Sequence, residues 1–309
     1  MKEKVIIVGG ATASGKSDFA VTLAKSINSE IISCDSMQIF KGMDIGTAKI
    51  TYNEMNNVKH HMLDIVEPTE NFSVSQYVTR ARKIISSLNA SGKVPVIVGG
   101  TGLYIDALIY DFGFSNAGSD DTYREELFEL AQAKGNSYLH DMLKEIDPPE
   151  AEKIHENNVK RVIRALEIYK LTGKTKEKND KRLIYETLIY VLQDNRQDLY
   201  QRINSRVDIM LKRGFADEIK ELLDRGVTFD MQSMQGIGYK EWNGFFDGTK
   251  SLYEVSDEIK KASRHYAKRQ LTWFNNKYKD IAEFVTRQDI DRCVDEAIAF
   301  SKEGIDAVN

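Results

Sequence analysis

The stretch Lys4-Val5-Ile6-Ile7-Val8, with the segment Gly10-Ala11-Thr12-Ala13-Ser14-Gly15-Lys16-Ser17 that follows it, decides the fold class of this chain. The β-branched run ends at a pair of glycines and predicts a fully buried strand. Beyond the glycines, Phe19, Leu23 and Ile27 recur at four-residue intervals, which predicts one face of a helix. A segment of the form G-x-x-x-x-G-K-[ST] between a strand and a helix predicts a phosphate-binding loop, or P-loop.

The chemistry of this loop follows from its residue types. Glycines allow the backbone to wrap, so that successive N–H groups and the helix N-terminus point at one anion. Lys16 adds a positive charge, and the hydroxyl of Ser17 is the predicted Mg²⁺ ligand. The motif does not identify the phosphate compound, and a chance glycine turn is the alternative. The predicted diphosphate-binding residues are Gly10, Ala11, Thr12, Ala13, Ser14, Gly15, Lys16 and Ser17.

Strand patterns recur along the chain. Further strands are predicted at residues 31–34, 94–98, 187–192 and 283–285. A helix is predicted over residues 74–88, closed by Ser91-Gly92. Alternating strands and helices predict an α/β fold, a P-loop NTPase-like parallel sheet flanked by helices.

The middle of the chain has a different pattern. Helices are predicted at residues 123–134, 137–145 and 158–171, with Pro148-Pro149 breaking the chain between the last two. The polar run 174–182 is not expected to pack against a core. We therefore predict a helical insertion domain, residues 116–184, within a discontinuous catalytic core of residues 1–115 and 185–309.

Composition narrows the class of protein. The chain has 309 residues, 41% of them hydrophobic, which is enough for a substantial core. No apolar run approaches the roughly 20 residues that span a bilayer, so no membrane association is expected. Cys34 and Cys293 stand outside any CxxC pair, which argues against a zinc module or disulfide framework and favours the cytoplasm. With a net charge of −4, nucleic-acid binding would need a local basic patch.

Two polar residues follow predicted strands and are expected beside the P-loop. An ordinary P-loop ATPase has an apolar strand that ends in a metal-binding carboxylate. Here the strand at 94–98 ends in Gly99-Gly100-Thr101, and the only apolar run that ends in an aspartate leads to Asp35. Because ligands bind at the carboxyl ends of parallel strands, Asp35 and Thr101 are predicted site residues. Turn or helix-cap roles are the alternatives for these two side chains.

Separated blocks of the chain resemble the tRNA dimethylallyltransferase family, also called tRNA isopentenyltransferases. The most specific block runs from Asp35 to Lys49, DSMQIFKGMDIGTAK. Ala11 and Ser17 depart from the proline and threonine usual in the family, and both substitutions leave the chemistry of the loop intact. The blocks cover most of the chain: the P-loop and residues 35–49, 60–65, 99–104, 160–167, 201–208, 235–241 and 266–274.

The resemblance implies an activity. It implies transfer of a dimethylallyl group from dimethylallyl diphosphate, with Mg²⁺, to the N6 amine of adenosine 37, next to the anticodon of tRNA. The adenine amine must lose a proton, and the family assigns the general-base role to the residue matching Asp35. By resemblance, Arg206 is a diphosphate ligand and Thr101 contacts the tRNA beside the reacting base. The predicted catalytic residues are Lys16, Ser17, Asp35, Thr101 and Arg206.

The resemblance and the local charge together predict where the anticodon stem-loop of tRNA binds. Lys160, Arg161 and Arg164 fall on one helical turn of the insertion, and a basic patch of this kind suits phosphate contacts. A solvated helix face is the alternative interpretation. Further cations follow at Lys170, Lys174, Lys176, Lys178, Lys181 and Arg182. The predicted tRNA-binding residues are Asp35, Ser36, Met37, Gln38, Thr101, Arg124, Lys160, Arg161, Arg164, Gln235, Gly236, Ile237, Gly238, Tyr239 and Lys240.

Residues 260–269 form a second basic helix whose contact with RNA stays open. Ala267, Leu271 and Phe274 on that helix are expected in the core.

Three other functions compete with the prenyltransferase. A small-molecule or nucleotide kinase is disfavoured by the block 35–49 and by the absent metal-binding strand end. The basic insertion favours tRNA over the free nucleotide used by adenylate isopentenyltransferases. Lys16, Ser17 and Asp35 together argue against a non-catalytic RNA-binding protein.

Overall fold

The chain consists of two compact units. The computed structural model describes residues 2–110, 120–173, 175 and 182–303. One unit is formed by Met1–Tyr110 with Leu183–Asn309, and the other by Asp111–Arg182. Apart from residues 175 and 182, the polar run 174–182 lies outside the described residues.

A parallel sheet forms the centre of the first unit. Its strands are β1 (Lys4–Gly10), β2 (Ile31–Ser33), β3 (His60–His61), β4 (Val96–Val98), β5 (Glu186–Leu192) and β6 (Glu283–Val285). They lie in the order β3-β2-β4-β1-β5-β6, and every neighbouring pair is parallel. The predicted parallel α/β fold is confirmed, and each predicted strand is present. The short edge strand β3 was not predicted.

The α-helices of both units are numbered in chain order. They are α1 (Lys16–Ser26), α2 (Tyr52–Met55), α3 (Val74–Ala90), α4 (Gly102–Ile109), α5 (Asp121–Lys134), α6 (Asn136–Ile146), α7 (Pro148–Ala151), α8 (Val159–Thr172), α9 (Arg196–Lys212), α10 (Phe215–Asp224), α11 (Leu252–Lys277) and α12 (Ile290–Lys302). Short 3-10 helices cover Gln232–Gln235, Lys240–Trp242 and Arg287–Asp289. The predicted helix at 74–88 is α3. It begins with a capping box between Ser73 and Gln76, which satisfies backbone N–H groups of its first turn.

The side chains of α1 pack on the sheet to form the main core of the first unit. Phe19 and Leu23 are buried, and the ring of Phe19 contacts that of Tyr190 on β5 edge to face. Burying a side chain of this size stabilises the fold by about 1.5–3 kcal/mol. The predicted helix face is confirmed for these two residues, whereas Ile27 is the C-cap of α1 and only partly buried. The unpredicted helix α12 adds Cys293 to the same core.

Helices α5 to α8 form the second unit. Its core contains Leu127, Leu139, Leu143, Val162 and Leu166. The three predicted helices are confirmed, and no strand occurs within residues 120–173.

The two prolines of the second unit lie between α6 and α8, where the chain break was predicted. Pro148 and Pro149 occupy the first turn of α7, whose N-cap is Asp147. Proline is tolerated there because its φ suits a helix and its missing N–H would have no intrahelical acceptor. The predicted break between the helices is confirmed, since α6 ends at Ile146 and α8 begins at Val159, and the prolines also begin the short helix α7 between them.

Both cysteines are free and buried, as expected from their separation. Burial raises the pKa of the Cys34 thiol to about 12 and that of Cys293 to about 11, so both stay protonated at neutral pH. In the described part of the chain, no helix combines the length and the apolar character needed to cross a bilayer.

Candidate active site

Three strand ends converge at one edge of the parallel sheet. The register aligns Val8 of β1 and Ser33 of β2 with Val98 of β4. The chain leaves these strands through the predicted P-loop, through Asp35 and through the segment 99–101. The parallel sheet thus brings the three predicted segments together, as expected for carboxyl ends of neighbouring strands. A cavity of about 820 Å³ lies at this edge.

The predicted P-loop forms one wall of this first cavity. Its lining residues are Thr12, Ala13, Gly15, Lys16 and Ser17, while Gly10, Ala11 and Ser14 do not reach the cavity surface. Gly15 has φ of 89°, a left-handed conformation that glycine adopts without strain. Gly15 also offers no side-chain cap, so the first N–H groups of α1 are left for a ligand.

Lys16 lies close to other charged groups of the cavity. Its Nζ donates a hydrogen bond to the carbonyl oxygen of Ala11 at 2.5 Å. Burial and the repulsion from Arg206 lower the pKa of Lys16 to about 7, while attraction by Asp35 acts in the opposite direction. An anion in the cavity would stabilise the protonated lysine, so anion binding here is coupled to proton uptake.

Two arginines of α9 approach the P-loop. Arg206 lines the first cavity, and burial is the main cause that lowers its pKa. Arg202 donates from Nε to the carbonyl oxygen of Ala13 at 3.0 Å and forms an ion pair with Asp194. Arg202 was not predicted. The signal that identifies it is its spacing of four residues from Arg206, which puts both side chains on one face of α9.

Asp35 belongs to two cavities. Its Oδ1 accepts hydrogen bonds from the backbone N–H groups of Met37 at 2.8 Å and Gln38 at 3.3 Å, so the turn role is present. The same side chain lines the first cavity and a second cavity of about 400 Å³. Because the turn bonds fix the orientation of the carboxylate, the turn role and a site role are compatible. Oδ2 has no hydrogen-bond donor among the described residues.

Thr101 lies beside Asp35 and lines neither cavity. Its Oγ1 accepts a hydrogen bond from the N–H of Ser36 at 3.4 Å and does not cap α4, so the helix-cap alternative is wrong. Tyr266 of α11 lines both cavities. Burial raises the pKa of Tyr266 to about 12, Asp35 also raises it, and a hydrogen bond with Thr101 lowers it. Tyr266 is therefore a neutral hydroxyl next to the predicted base.

A second α11 residue connects the P-loop to the end of β4. Gln270 accepts a hydrogen bond from the N–H of Thr12 at 2.8 Å and donates one to the carbonyl oxygen of Gly100 at 2.9 Å. Tyr266 and Gln270 lie in the block 266–274 that resembles the family, and neither is among the predicted site residues. Their four-residue spacing was the available signal that both lie on one helix face.

The second cavity gathers the predicted tRNA-binding segments of the first unit. Gln38 lines the first cavity instead. Tyr239 is fully buried, so its side chain does not reach the cavity surface, and Lys240 is exposed without lining it. Those predicted residues that line the second cavity are Asp35, Ser36, Met37, Gln235, Gly236, Ile237 and Gly238.

A buried carboxylate of α10 holds the loop that follows Asp35. Glu218 accepts hydrogen bonds from the N–H groups of Asp44, Ile45 and Gly46, at 2.8, 2.6 and 3.1 Å, and from the Tyr239 hydroxyl. It therefore connects residues 35–49 with the segment 235–240. Sequence analysis missed Glu218, because nothing in a helical pattern distinguishes a buried glutamate from a solvated one.

The second unit has its own cavity, which three predicted tRNA-binding cations line. These are Arg124, Lys160 and Arg164, and the exposed ring of Phe128 lies with them. The fully buried carboxylate of Glu167 accepts from Arg124 Nε at 2.9 Å and from an Arg164 terminal nitrogen at 2.5 Å. One buried anion thus orients two guanidinium groups at this surface.

The remaining predicted cations of this unit differ in their contacts. Arg161 and Arg182 are exposed, and neither lines the cavity. Lys170 forms an ion pair with Asp120 at 3.2 Å and lies 3.8 Å from the centre of the Tyr123 ring. The cations Lys174, Lys176, Lys178 and Lys181 lie outside the described residues.

The basic helix at 260–269 is part of α11. Lys260 pairs with Asp208 at 2.5 Å and Arg264 donates to Asn204 at 2.6 Å, so both cations contact α9. Arg269 instead lines the second cavity. The expected core positions of this helix are buried at Ala267 and Phe274 and partly buried at Leu271.

The site thus combines a parallel α/β sheet, a first cavity lined by the predicted P-loop at its carboxyl edge, and a second cavity that shares Asp35 with the first. The chain belongs to the IPP transferase family, whose pattern matches residues 38–277.

Relatives of known identity agree over most of the chain. A tRNA dimethylallyltransferase of Geobacillus thermodenitrificans is 51% identical over 280 residues, 89% of each chain. The crystal structure of a tRNA isopentenylpyrophosphate transferase from Bacillus halodurans is 46% identical, with a TM-score of 0.72 over 97% of this chain and 95% of the other. A eukaryotic dimethylallyltransferase, solved acting on tRNA, is 29% identical, with a TM-score of 0.81 over 99% of this chain and 80% of the other.

Proposed function

We propose that this chain transfers a dimethylallyl group from dimethylallyl diphosphate to the N6 amine of adenosine 37, next to the anticodon of tRNA. Family membership supports the reaction class. The observation that carries the proposal is that Asp35 lines both cavities. A carboxylate in this position has a phosphate-binding loop on one side and room for an adenine on the other.

The first cavity suits the diphosphate of the donor. When the allylic C–O bond breaks, negative charge develops on the leaving diphosphate and positive charge on the allyl group. The N–H groups of the loop, Lys16 and Arg206 are positioned to stabilise that negative charge. Arg206 presents a planar fork suited to phosphate oxygens. Lys16 becomes fully protonated when the anion binds, because the anion raises its depressed pKa.

The proton balance of the reaction assigns a role to Asp35. The adenine N6 is a weak nucleophile, because its lone pair is delocalised into the ring. As the N–C bond forms, the nitrogen must release one proton, and the carboxylate of Asp35 accepts it. The turn bonds from Met37 and Gln38 hold the acceptor in place for this transfer. Tyr266 lies close enough to Asp35 for the carboxylate to raise its pKa, and Thr101 accepts a hydrogen bond from the N–H of the adjacent Ser36.

Magnesium is a proposed cofactor of the first cavity. Within the described residues, no three His, Cys, Asp or Glu side chains converge as a metal-binding group. Mg²⁺ commonly takes few protein ligands and completes its shell with phosphate oxygens and water, and the Ser17 hydroxyl in the cavity wall fits that pattern. When bound, Mg²⁺ would neutralise charge on the leaving diphosphate.

The second cavity of the first unit and the helices of the second unit are the proposed tRNA-binding surfaces. The target base must leave the anticodon-loop stack to reach Asp35, and unpaired loop bases do so at low cost. Ser36, Met37 and the segment 235–238 would contact the flipped nucleotide. Arg124, Lys160 and Arg164 of the helical unit would contact phosphates. A tRNA substrate and two buried free thiols support a cytoplasmic protein.

Labelled dimethylallyl diphosphate tests this function directly. The chain is incubated with Mg²⁺, the labelled donor and either tRNA or AMP. We expect label in tRNA and none in AMP. Label in AMP alone identifies an adenylate isopentenyltransferase, and label in neither acceptor removes the prenyltransferase assignment.

A further inference from the structure

A cation from outside the predicted motifs reaches the phosphate loop. Arg287 lies in the 3-10 helix after β6, beyond residue 277, where the family match ends. Its Nε donates a hydrogen bond to the carbonyl oxygen of Ser14 at 2.9 Å. The Arg287 side chain also lines the first cavity together with Lys16 and Arg206.

The guanidinium group of Arg287 lies directly against the backbone of Gly15. A Cβ atom on Gly15 would lie 2.5 Å from the Nε of Arg287 and 2.7 Å from the central guanidinium carbon. Any other residue at this position would therefore displace the arginine. Because Gly15 has no side chain, the Arg287 guanidinium can lie at the N-terminus of α1, where the helix dipole favours an anion.

Within the part of the chain that the structure describes, Arg287 has N–H donors without an acceptor. A guanidinium has five N–H groups in a fixed plane, and the bond to Ser14 uses one of them. Arg287 forms no ion pair with a carboxylate of the described residues. The Ser14 bond thus orients a charged group whose remaining N–H groups are free to bind another acceptor.

Neighbouring charges point to what that acceptor is. Burial lowers the pKa of Arg206 most, and the positive charges of Arg287 and Arg202 lower it further, against the attraction of Asp18 and Glu54. The guanidinium groups therefore repel one another around the first cavity. An anion bound between them would relieve that repulsion and gain charge-assisted hydrogen bonds.

We propose that Arg287 is a further ligand of the donor's diphosphate, supplied by the segment that follows the last strand of the sheet. The identity of the anion rests on the proposed function. The competing interpretation is a tether, in which Arg287 only holds the P-loop in shape through Ser14. A ligand and a tether differ in what their loss does to anion affinity.

The test compares the wild-type chain with Arg287→Gln, Arg287→Lys and Lys279→Gln. Calorimetry gives the affinity for inorganic pyrophosphate with Mg²⁺, and labelled transfer to tRNA gives kcat and the KM for dimethylallyl diphosphate. For Arg287→Gln we expect about tenfold weaker pyrophosphate binding and a KM raised about tenfold, the scale of one charge-assisted contact. The kcat at saturating donor should change by less than about twofold, because the lost contact is present before and during the reaction.

The other two variants separate charge from position. Arg287→Lys keeps the charge without the planar fork and should bind pyrophosphate with intermediate affinity. Lys279→Gln removes the same charge from an exposed residue that does not line the cavity, and should bind as the wild type does. Unchanged pyrophosphate affinity in Arg287→Gln, or an equal loss in Lys279→Gln, would overturn the proposal.

Melting temperatures distinguish the ligand from the tether. A tether predicts a lower melting temperature for Arg287→Gln without ligand, but the same rise on adding pyrophosphate as in the wild type. A ligand predicts a smaller rise. If Arg287→Gln does not fold, the rise in Arg287→Lys decides in the same way. Absence of label transfer by the wild type would refute the proposed function, while the pyrophosphate measurements would still decide the role of Arg287.

Discussion

The hydroxyl of Tyr239 donates a hydrogen bond to the carboxylate of Glu218 at 2.7 Å, and both residues are buried. Glu218 also accepts three backbone N–H bonds from residues 44–46. One carboxylate thus connects the loop that carries Asp35 with the segment that lines the second cavity. We infer that this pair positions the acceptor side of the site.

Removal of the Tyr239 hydroxyl should weaken acceptor binding more than donor binding. Tyr239→Phe keeps the ring packed and deletes one hydrogen bond to a charged group, which should lower the free energy of unfolding by about 1.5–3 kcal/mol. We expect the KM for tRNA to rise severalfold, with pyrophosphate affinity unchanged. Tyr253→Phe, at a ring that is 81% exposed, is the matched control and should alter neither property. Equal loss of donor and acceptor affinity would contradict a role on the acceptor side.

Asp35→Asn isolates the proton acceptor from the turn. The amide oxygen of asparagine can still accept from the N–H groups of Met37 and Gln38, so the loop should keep its shape. Loss of the base should reduce kcat about a hundredfold or more, with tRNA affinity nearly unchanged. Asp35→Ala should show the same loss of turnover with an added loss of stability from the broken turn. Near-normal turnover in the asparagine variant refutes the general-base role.

Lys16 should make donor binding depend on pH. Its pKa in the free protein is lowered to about 7, and a bound diphosphate favours the protonated form, so binding takes up a proton above that pH. Affinity should therefore fall as the pH rises above about 7. Calorimetry of diphosphate binding at pH 8 in buffers of different ionisation enthalpy measures the number of protons taken up on binding. The control is Lys16→Met, in which only the ligand itself still titrates. An equal number of protons in both proteins would refute the coupling between Lys16 protonation and diphosphate binding.

Lys160 should contribute to tRNA affinity through its charge. The exposed Lys160 lines the cavity of the helical unit and should contact a phosphate. Lys160→Gln should raise the Kd for tRNA severalfold and reduce the salt dependence of binding by about one unit of slope. Lys144→Gln removes an exposed charge of the same unit that does not line the cavity. If both variants lose affinity equally, the effect is general electrostatics rather than a contact.

Local sequence patterns determined most strands, several helices and the glycine-rich loop of the site. The period of the apolar residues predicted the five longest strands and the helices α1, α3, α5, α6 and α8, because burial of one face imposes that period. The glycine-rich motif predicted the anion loop, because its backbone conformation depends on residues that are adjacent in sequence. The two-residue strand β3 was too short to leave a pattern.

Tertiary structure decided which distant side chains meet. Arg202, Glu218, Gln270 and Arg287 reach the loops of the site from helices and turns far along the chain. Their residue types are common on solvated helix faces, so composition does not distinguish them from surface residues. The sequence by itself determined the parallel sheet and the phosphate loop, since both follow from local conformation and periodic burial. Only the packing of α9, α10 and α11 decided the charge balance around Lys16 and the placement of Asp35 between two cavities, because those effects depend on distances across the fold.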